Sequence, residues 1–191
     1  MKKLKFLMIY NHGTNKARVK GLDVLSSLTQ LKSVRLERSI LPFVEKHGIE
    51  ELQNIEKLSL SLSEGFKNIS TFTKLQDFSL DHSNDLELPL GNCNMSSTLS
   101  CSITNCHQLQ ILPYDFGNIS NLRMLRLSAL PRLEQLSVST GKLVQLEYLD
   151  ISLCEGLKEL PKEIGQLKKL RELDMRECTR LMALPSTVCY L

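Results

Sequence analysis

Tryptophan is absent from this chain of 191 residues, and aromatic residues make up only 5% of it. Large aromatic side chains usually dominate the bulk of a core, so packing here has to come from smaller residues, chiefly Leu. No apolar run approaches the about 18 residues that a membrane-spanning helix requires. A preponderance of one charge is also missing. Lys and Arg number 24 and Asp and Glu 21, a net of +3 without clustering, which offers no electrostatic footprint for nucleic acid or membrane. The chain lacks a Gly-x-x-x-x-Gly-Lys-Ser/Thr phosphate loop, a Gly-x-Gly-x-x-Gly turn and a His-Glu-x-x-His pair. Those absences argue against nucleotide, dinucleotide and metalloenzyme chemistry, so neither a cofactor nor an enzymatic activity is expected. The basic, apolar opening Met1 to Tyr10 is interrupted by Lys5 and followed by Asn11-His12-Gly13. It fits the repeat described next better than a secretory leader, which would need a longer apolar run and a small-residue cleavage pattern.

What the chain has is a period. The pattern Leu-x-x-Leu-x-Leu, apolar at relative positions 1, 4 and 6, recurs from residues 4, 31, 55, 75, 98, 122, 146 and 170. Steps of 20 to 27 residues separate these starts, inside the range of leucine-rich repeats. Only Thr98 breaks the apolar rule. In the second half the template lengthens to include Cys at position 9 and a Leu-Pro-x-x-Ile-Gly turn, most completely from Leu146 through Cys154, Leu160-Pro161 and Ile164-Gly165. Three residues before each start stands an apolar anchor: Met1, Leu28, Leu52, Phe72, Met95, Ile119, Leu143 and Leu167. The spacing predicts one domain over 1–191, an α/β leucine-rich-repeat horseshoe. Short strands form a concave parallel sheet, and helical, 3₁₀ or extended segments return along the convex side. The stretch 82–100, poor in leucine, is expected to be irregular, and the 20-residue third repeat to have an extended outer segment. Met1 and Leu191 both fall on the anchor position, so neither end shows the polar capping repeat that a free-standing solenoid needs.

Three of the six cysteines, Cys106, Cys154 and Cys178, share position 9, where a small inward residue can bond neighbouring backbone. A role in packing follows, since free Cys behaves as a small hydrophobe. The spacing of Cys93, Cys101 and Cys106 beside His107 matches no zinc arrangement, and Cys106-His107 is a poor nucleophile–base pair because adjacent residues point apart. No metal is expected. The absence of a disulfide framework favours a reducing, cytoplasmic compartment, although sequons at Asn68, Asn94 and Asn118 keep a secreted receptor ectodomain as an alternative.

Strand positions 2, 3, 5, 7 and 8 face the concave surface. Across the last three repeats position 2 carries Arg123, Glu147 and Arg171, and position 5 carries Arg126, Asp150 and Asp174. Tyr148 and Glu172 at position 3 and Arg176 at position 7 complete a candidate partner-binding strip. Adjacent parallel strands lie about 4.8 Å apart, which lets these charges pair across the sheet, and Tyr and Arg are enriched among interface hot spots. The alternative reading of the same ladder is a solvated face whose exposed pairs contribute about 0–1 kcal/mol each.

The run from Leu146 to Gly165, echoed by Leu173-Asp174-Met175-Arg176-Glu177-Cys178 and by Ser102-Ile103-Thr104-Asn105-Cys106-His107, resembles plant intracellular NLR disease-resistance proteins, most strongly their helper, powdery-mildew-resistance-like subclass. Residues 98–191 carry the likeness well. Thr98, Cys101 and Ser137, which replaces the turn proline, depart from the pattern. The resemblance implies a cytoplasmic protein–protein interaction module of plant innate immunity, a partner-binding and autoinhibitory part of a larger receptor, with lipase-like immune proteins or other receptor domains as partners. The nucleotide-binding and membrane-entering domains of that family have no counterpart in these residues, so those activities are not assigned to this segment, and neither a nucleic-acid partner nor membrane binding by this segment alone is expected. A stand-alone cytosolic scaffold of Ras-suppressor type remains the other intracellular alternative.

Overall fold

The computed structural model describes residues 3–12, 17–18, 27–40, 52–63, 69, 72–84, 88 and 95–191. Asn68, Cys93, Asn94, Pro89, Met1 and the outer segment of the third repeat (64–68) lie outside the described residues. Among the described residues ten strands occur in chain order: β1 (Phe6–Tyr10), β2 (Ala17–Arg18), β3 (Ser33–Glu37), β4 (Ser39–Ile40), β5 (Lys57–Ser61), β6 (Asp77–Asp81), β7 (Ser100–Thr104), β8 (Met124–Ser128), β9 (Tyr148–Asp150) and β10 (Glu172–Asp174). Eight of them form one parallel sheet in the order β1-β3-β5-β6-β7-β8-β9-β10, while β2 and β4 pair separately. Each strand of the large sheet begins two residues after the residue that opens its Leu-x-x-Leu-x-Leu segment. The fold is the leucine-rich-repeat solenoid that the periodicity predicts, with 3₁₀ turns at Phe116–Asn118, Val138–Lys142, Lys162–Gln166 and Ser186–Tyr190 on the convex side.

The register aligns equivalent positions without slippage, as in Leu58↔Phe78, Phe78↔Cys101, Cys101↔Leu125 and Leu125↔Leu149. Because successive strand residues point to opposite faces, positions 4 and 6 go inward, and Leu58, Leu60, Phe78, Leu80, Cys101, Ile103, Leu125, Leu127, Leu149 and Ile151 are all buried. Parallel sheets normally have both faces covered. Here polar residues at positions 3, 5 and 7, such as Ser59, Ser79 and Ser102, leave one face to solvent.

Three backbone devices recur along the solenoid from the second repeat onward. The anchor carbonyl accepts from the first residue of the next segment, as in Leu122 N to Ile119 O at 3.0 Å and Leu146 N to Leu143 O at 2.9 Å. Position 8 is left-handed from the second repeat onward, with Arg38, Leu62, His82, Asn105, Ala129, Leu153 and Glu177 at φ between 49° and 59°. Such a conformation costs most residues about 1–3 kcal/mol. It is offset by a ladder in which the N–H groups from Arg38 to Leu153 reach the position-7 carbonyl of the next repeat, as in Ala129 N to Ser152 O at 2.9 Å. Position 9 then turns inward. The Cys154 thiol donates to Leu127 O at 2.9 Å and the Cys178 thiol to Ile151 O at 3.0 Å. In the first half the hydroxyl of Ser63 does the same to Leu36 O, so Ser39, Ser63 and Ser83 hold the place that cysteine holds later.

The departures noted in the sequence are absorbed locally. Thr98 is fully buried and its hydroxyl donates to Leu75 O at 2.8 Å. Ser137 caps the 3₁₀ turn that a proline opens elsewhere, its hydroxyl accepting from Ser139 N at 3.2 Å. The convex turns stack so closely that a Cβ on Gly117 or Gly165 would strike the carbonyl of Ser139 or Thr187 in the next repeat, which explains glycine after the turn's apolar residue. Among the described residues no helix is long and apolar enough to cross a membrane.

Candidate functional site

The last three strands carry Arg126, Tyr148, Asp150, Glu172 and Asp174 on one face, while Arg123, Glu147 and Arg171 immediately precede those strands and Arg176 follows β10. The register places Ser102, Arg126, Asp150 and Asp174 in one column and Met124, Tyr148 and Glu172 in another. Arg126 Nε donates to Asp150 Oδ2 at 2.9 Å, its Nη2 lies 3.5 Å from Tyr148 Oη, and its guanidinium carbon sits 6.0 Å from the Tyr148 ring centre. Contact with the Tyr148 hydroxyl and the charge of Asp150 push the Arg126 pKa up, so this cation is permanent.

Asp150 is on the strip but withdrawn from solvent, only 6% exposed. Its Oδ1 accepts from Ser152 N at 2.9 Å and from Ser152 Oγ at 2.6 Å, and Ser152 Oγ in turn meets Ser128 Oγ at 2.9 Å. Asp150 thus organises the strand ends and anchors Arg126. Asp174 and Arg176 close on each other, with Nη2 to Oδ2 at 2.6 Å and Nε 3.0 Å from both carboxylate oxygens. That fork holds the Asp174 carboxyl below its ordinary range and raises Arg176. Arg123 approaches Glu147 at 3.8 Å. Arg171 and Glu172 are exposed and make no ion pair among the described residues. Among the described residues Arg171 and Glu172 are thus the strip's exposed charges without an ion pair, beside the half-buried Tyr148 ring.

A second polar centre, which the sequence reading overlooked, occupies the middle of the same face. Asp81 Oδ1 accepts from Thr104 Oγ1 at 2.7 Å and Asn105 Nδ2 at 2.8 Å, and Oδ2 from Ser61 Oγ at 3.2 Å and His82 Nδ1 at 2.8 Å. Partial burial opposes ionisation, but the bonds from Asn105, Thr104 and His82 outweigh it and bring the carboxyl down to about 2. The signal available in the sequence was an Asp at position 7 with Thr-Asn at positions 7 and 8 of the next repeat. On the flank, a depression of about 560 Å³ is lined by Gln110, Ile111, Glu134, Gln135, Lys158 and Glu159. Lys158 and Glu134 satisfy each other inside it at 2.6 Å.

The thiols are arranged for packing. Burial pushes Cys154 up to about 12 and raises Cys178, the reverse of the shift that activates a nucleophile. Among the described residues no group of three or more His, Cys, Asp or Glu side chains converges to hold a metal ion.

No family model matches the chain. Among curated proteins it is 36% identical over 127 residues to the disease resistance protein ADR1 of Arabidopsis thaliana, covering 62% of this chain and 16% of that protein. A probable disease resistance protein of the same plant is 36% identical over 117 residues, covering 57% of this chain and 28% of the relative. The chain thus spans under a third of the length of either. Among solved structures, a leucine-rich-repeat protein of Leptospira interrogans superposes with a TM-score of 0.61 at 24% identity, over 87% of this chain and 48% of that one. A TDR receptor superposes with a TM-score of 0.58 at 22% identity, over 85% and 29%. The homologues of this chain are plant disease resistance proteins, and its fold is that of leucine-rich-repeat proteins.

Proposed function

We propose that this chain is a single leucine-rich-repeat domain of about eight repeats over 1–191, serving as a protein–protein interaction module in plant innate immunity. It acts in the cytoplasm as a partner-binding and autoinhibitory part of a larger, helper-type immune receptor. The observation that carries this reading is the conjunction of relatives named for disease resistance with a solvent-facing sheet on which Tyr148 and Arg126 stack beside the unpaired Arg171 and Glu172. Solenoids of this kind use their extended concave surface for binding. Arg123, Arg126, Tyr148, Arg171 and Glu172 supply the contacts. Glu147, Asp150, Asp174 and Arg176 hold them in place through the pairs described above.

The partners in this reading are lipase-like immune proteins or other domains of the same receptor. The test is a pull-down of purified lipase-like immune proteins with the wild-type chain and with Tyr148→Ala/Arg171→Glu. Arg171 is exposed and Tyr148 half-buried beside Arg126, so circular dichroism checks that the fold persists while binding falls by roughly tenfold or more, as hot-spot loss does. Undiminished binding by the double variant would remove the strip from the interface.

A further inference from the structure

On β1 the alternation that presents Ser, Lys or Asp to solvent on β5 and β6 presents Phe6, Met8 and Tyr10 instead, 50%, 51% and 45% exposed. Their register partners on β3 are Ser33, Arg35 and Glu37. Single exposed apolar residues are ordinary, but a contiguous patch marks a binding surface. These side chains project from the sheet face and not along the solenoid axis, since strand residues alternate across the sheet. A further strand beside β1 would flank them without covering them.

The charges around the patch are predominantly of one sign. Arg35, opposite Met8, is exposed and makes no ion pair among the described residues, and the same holds for Lys3 and Lys5. Lys32, by contrast, is neutralised by Glu56 at 2.5 Å. Glu37 is the single carboxylate in the register with β1. Tyr10 is braced edge-on by the His12 ring at 4.3 Å, which presents its ring as a fixed wall. An apolar floor with a cationic rim suits a ligand that is apolar at its centre and anionic around it.

We propose that the N-terminal end of the concave face is a docking surface, separate from the Tyr148 strip, for an acidic protein segment carrying an apolar anchor. The anchor packs on Phe6 and Met8 against Tyr10, and flanking carboxylates pair with Arg35 and Lys5. An extended chain can follow the inner curve of the sheet, which a bilayer surface cannot, so a protein segment is favoured over an anionic membrane.

The test uses the full chain and three labelled peptides of about 12 residues, long enough at about 3.3 Å per residue to cross the patch and its rim. One is rich in Asp and Glu around a central Leu-Phe pair, one has every acid replaced by its amide, and one has Leu-Phe replaced by Ser-Ser. Fluorescence polarisation should show the acidic apolar peptide binding roughly tenfold tighter than either control, a difference of about 1.4 kcal/mol. Met8→Ser and Arg35→Glu should each weaken it roughly fivefold, while Arg171→Glu in the other strip leaves it unchanged. Both altered residues are exposed, and circular dichroism on each variant checks that the fold persists. The proposal is overturned if the acidic apolar peptide fails to bind, if the amide peptide binds as well, or if neither substitution matters. It is equally overturned if phosphatidylserine vesicles, and not the peptide, retain the chain through Met8.

Discussion

Two buried threonines with opposite hydrogen-bond status provide a sharp test of how this solenoid is held together. Thr140 lies in the convex turn Val138–Lys142, at the repeat position filled elsewhere by Phe116, Ile164 and Val188. It is fully buried, and its hydroxyl has no hydrogen-bond partner among the described residues. Thr98 is equally buried, but its hydroxyl donates to Leu75 O at 2.8 Å. Valine has nearly the shape of threonine, so Thr→Val at either site exchanges a hydroxyl for a methyl without opening a cavity. At Thr140 the exchange relieves a desolvated, unsatisfied group and should stabilise the chain by about 1–2 kcal/mol. At Thr98 it removes a made bond and strands a carbonyl lone pair, which should destabilise by about 0.5–1.5 kcal/mol. For a chain of this size each kcal/mol moves the melting temperature by about 2–4 °C. Urea titrations followed by far-ultraviolet circular dichroism would measure both effects as shifts in midpoint, with an unchanged slope confirming that the unfolded state is not responsible. A loss of stability in Thr140→Val, or a gain in Thr98→Val, would refute the reasoning.

Gly165→Ala should lower stability by about 1–3 kcal/mol through overpacking, because the new Cβ meets the Thr187 carbonyl of the next convex turn. A thermal melt as stable as wild type would mean that the turns can separate at no cost. The Asp81 carboxyl stands at about 2 against an ordinary 3.8. Its contribution is therefore complete above pH about 4 and is lost as the pH falls from there towards 2, amounting to roughly 1–2 kcal/mol after allowance for solvent screening. Melts of Asp81→Asn against wild type between pH 6 and pH 2 should converge at the acid end, and parallel curves would contradict the Asp81 network.

Architecture was legible because a solenoid is nearly one-dimensional. Each repeat contacts only its neighbours, so a recurring Leu-x-x-Leu-x-Leu segment specifies strand, facing and stacking direction together, and β5 through β10 begin where the repeat starts place them. The role of position 9 was equally readable for Cys106, Cys154 and Cys178, though Ser39, Ser63 and Ser83 escaped notice because serine carries no apolar signal. Asp150 shows where linear reading stops. Its column on the concave face follows from period alone, but its burial beneath Arg126 and its bonds to Ser152 depend on which rotamers fit between three strands. Likewise the pairing of Arg176 with Asp174 within its own strand end, leaving Arg171 free, is a choice among several reachable carboxylates.

The sequence by itself determined the repeat, the inward leucines and the face on which any partner would land, because those follow from local spacing in a chain whose contacts are between adjacent repeats. Tertiary structure alone decided which charges on that face are spent on one another and which remain available. It also placed Ser61, Asp81, Thr104 and Asn105 in one network and set Phe6, Met8 and Tyr10 beside Arg35. Those outcomes turn on distances of an ångström or two between side chains some 20 to 27 residues apart, a scale that spacing along the chain does not encode.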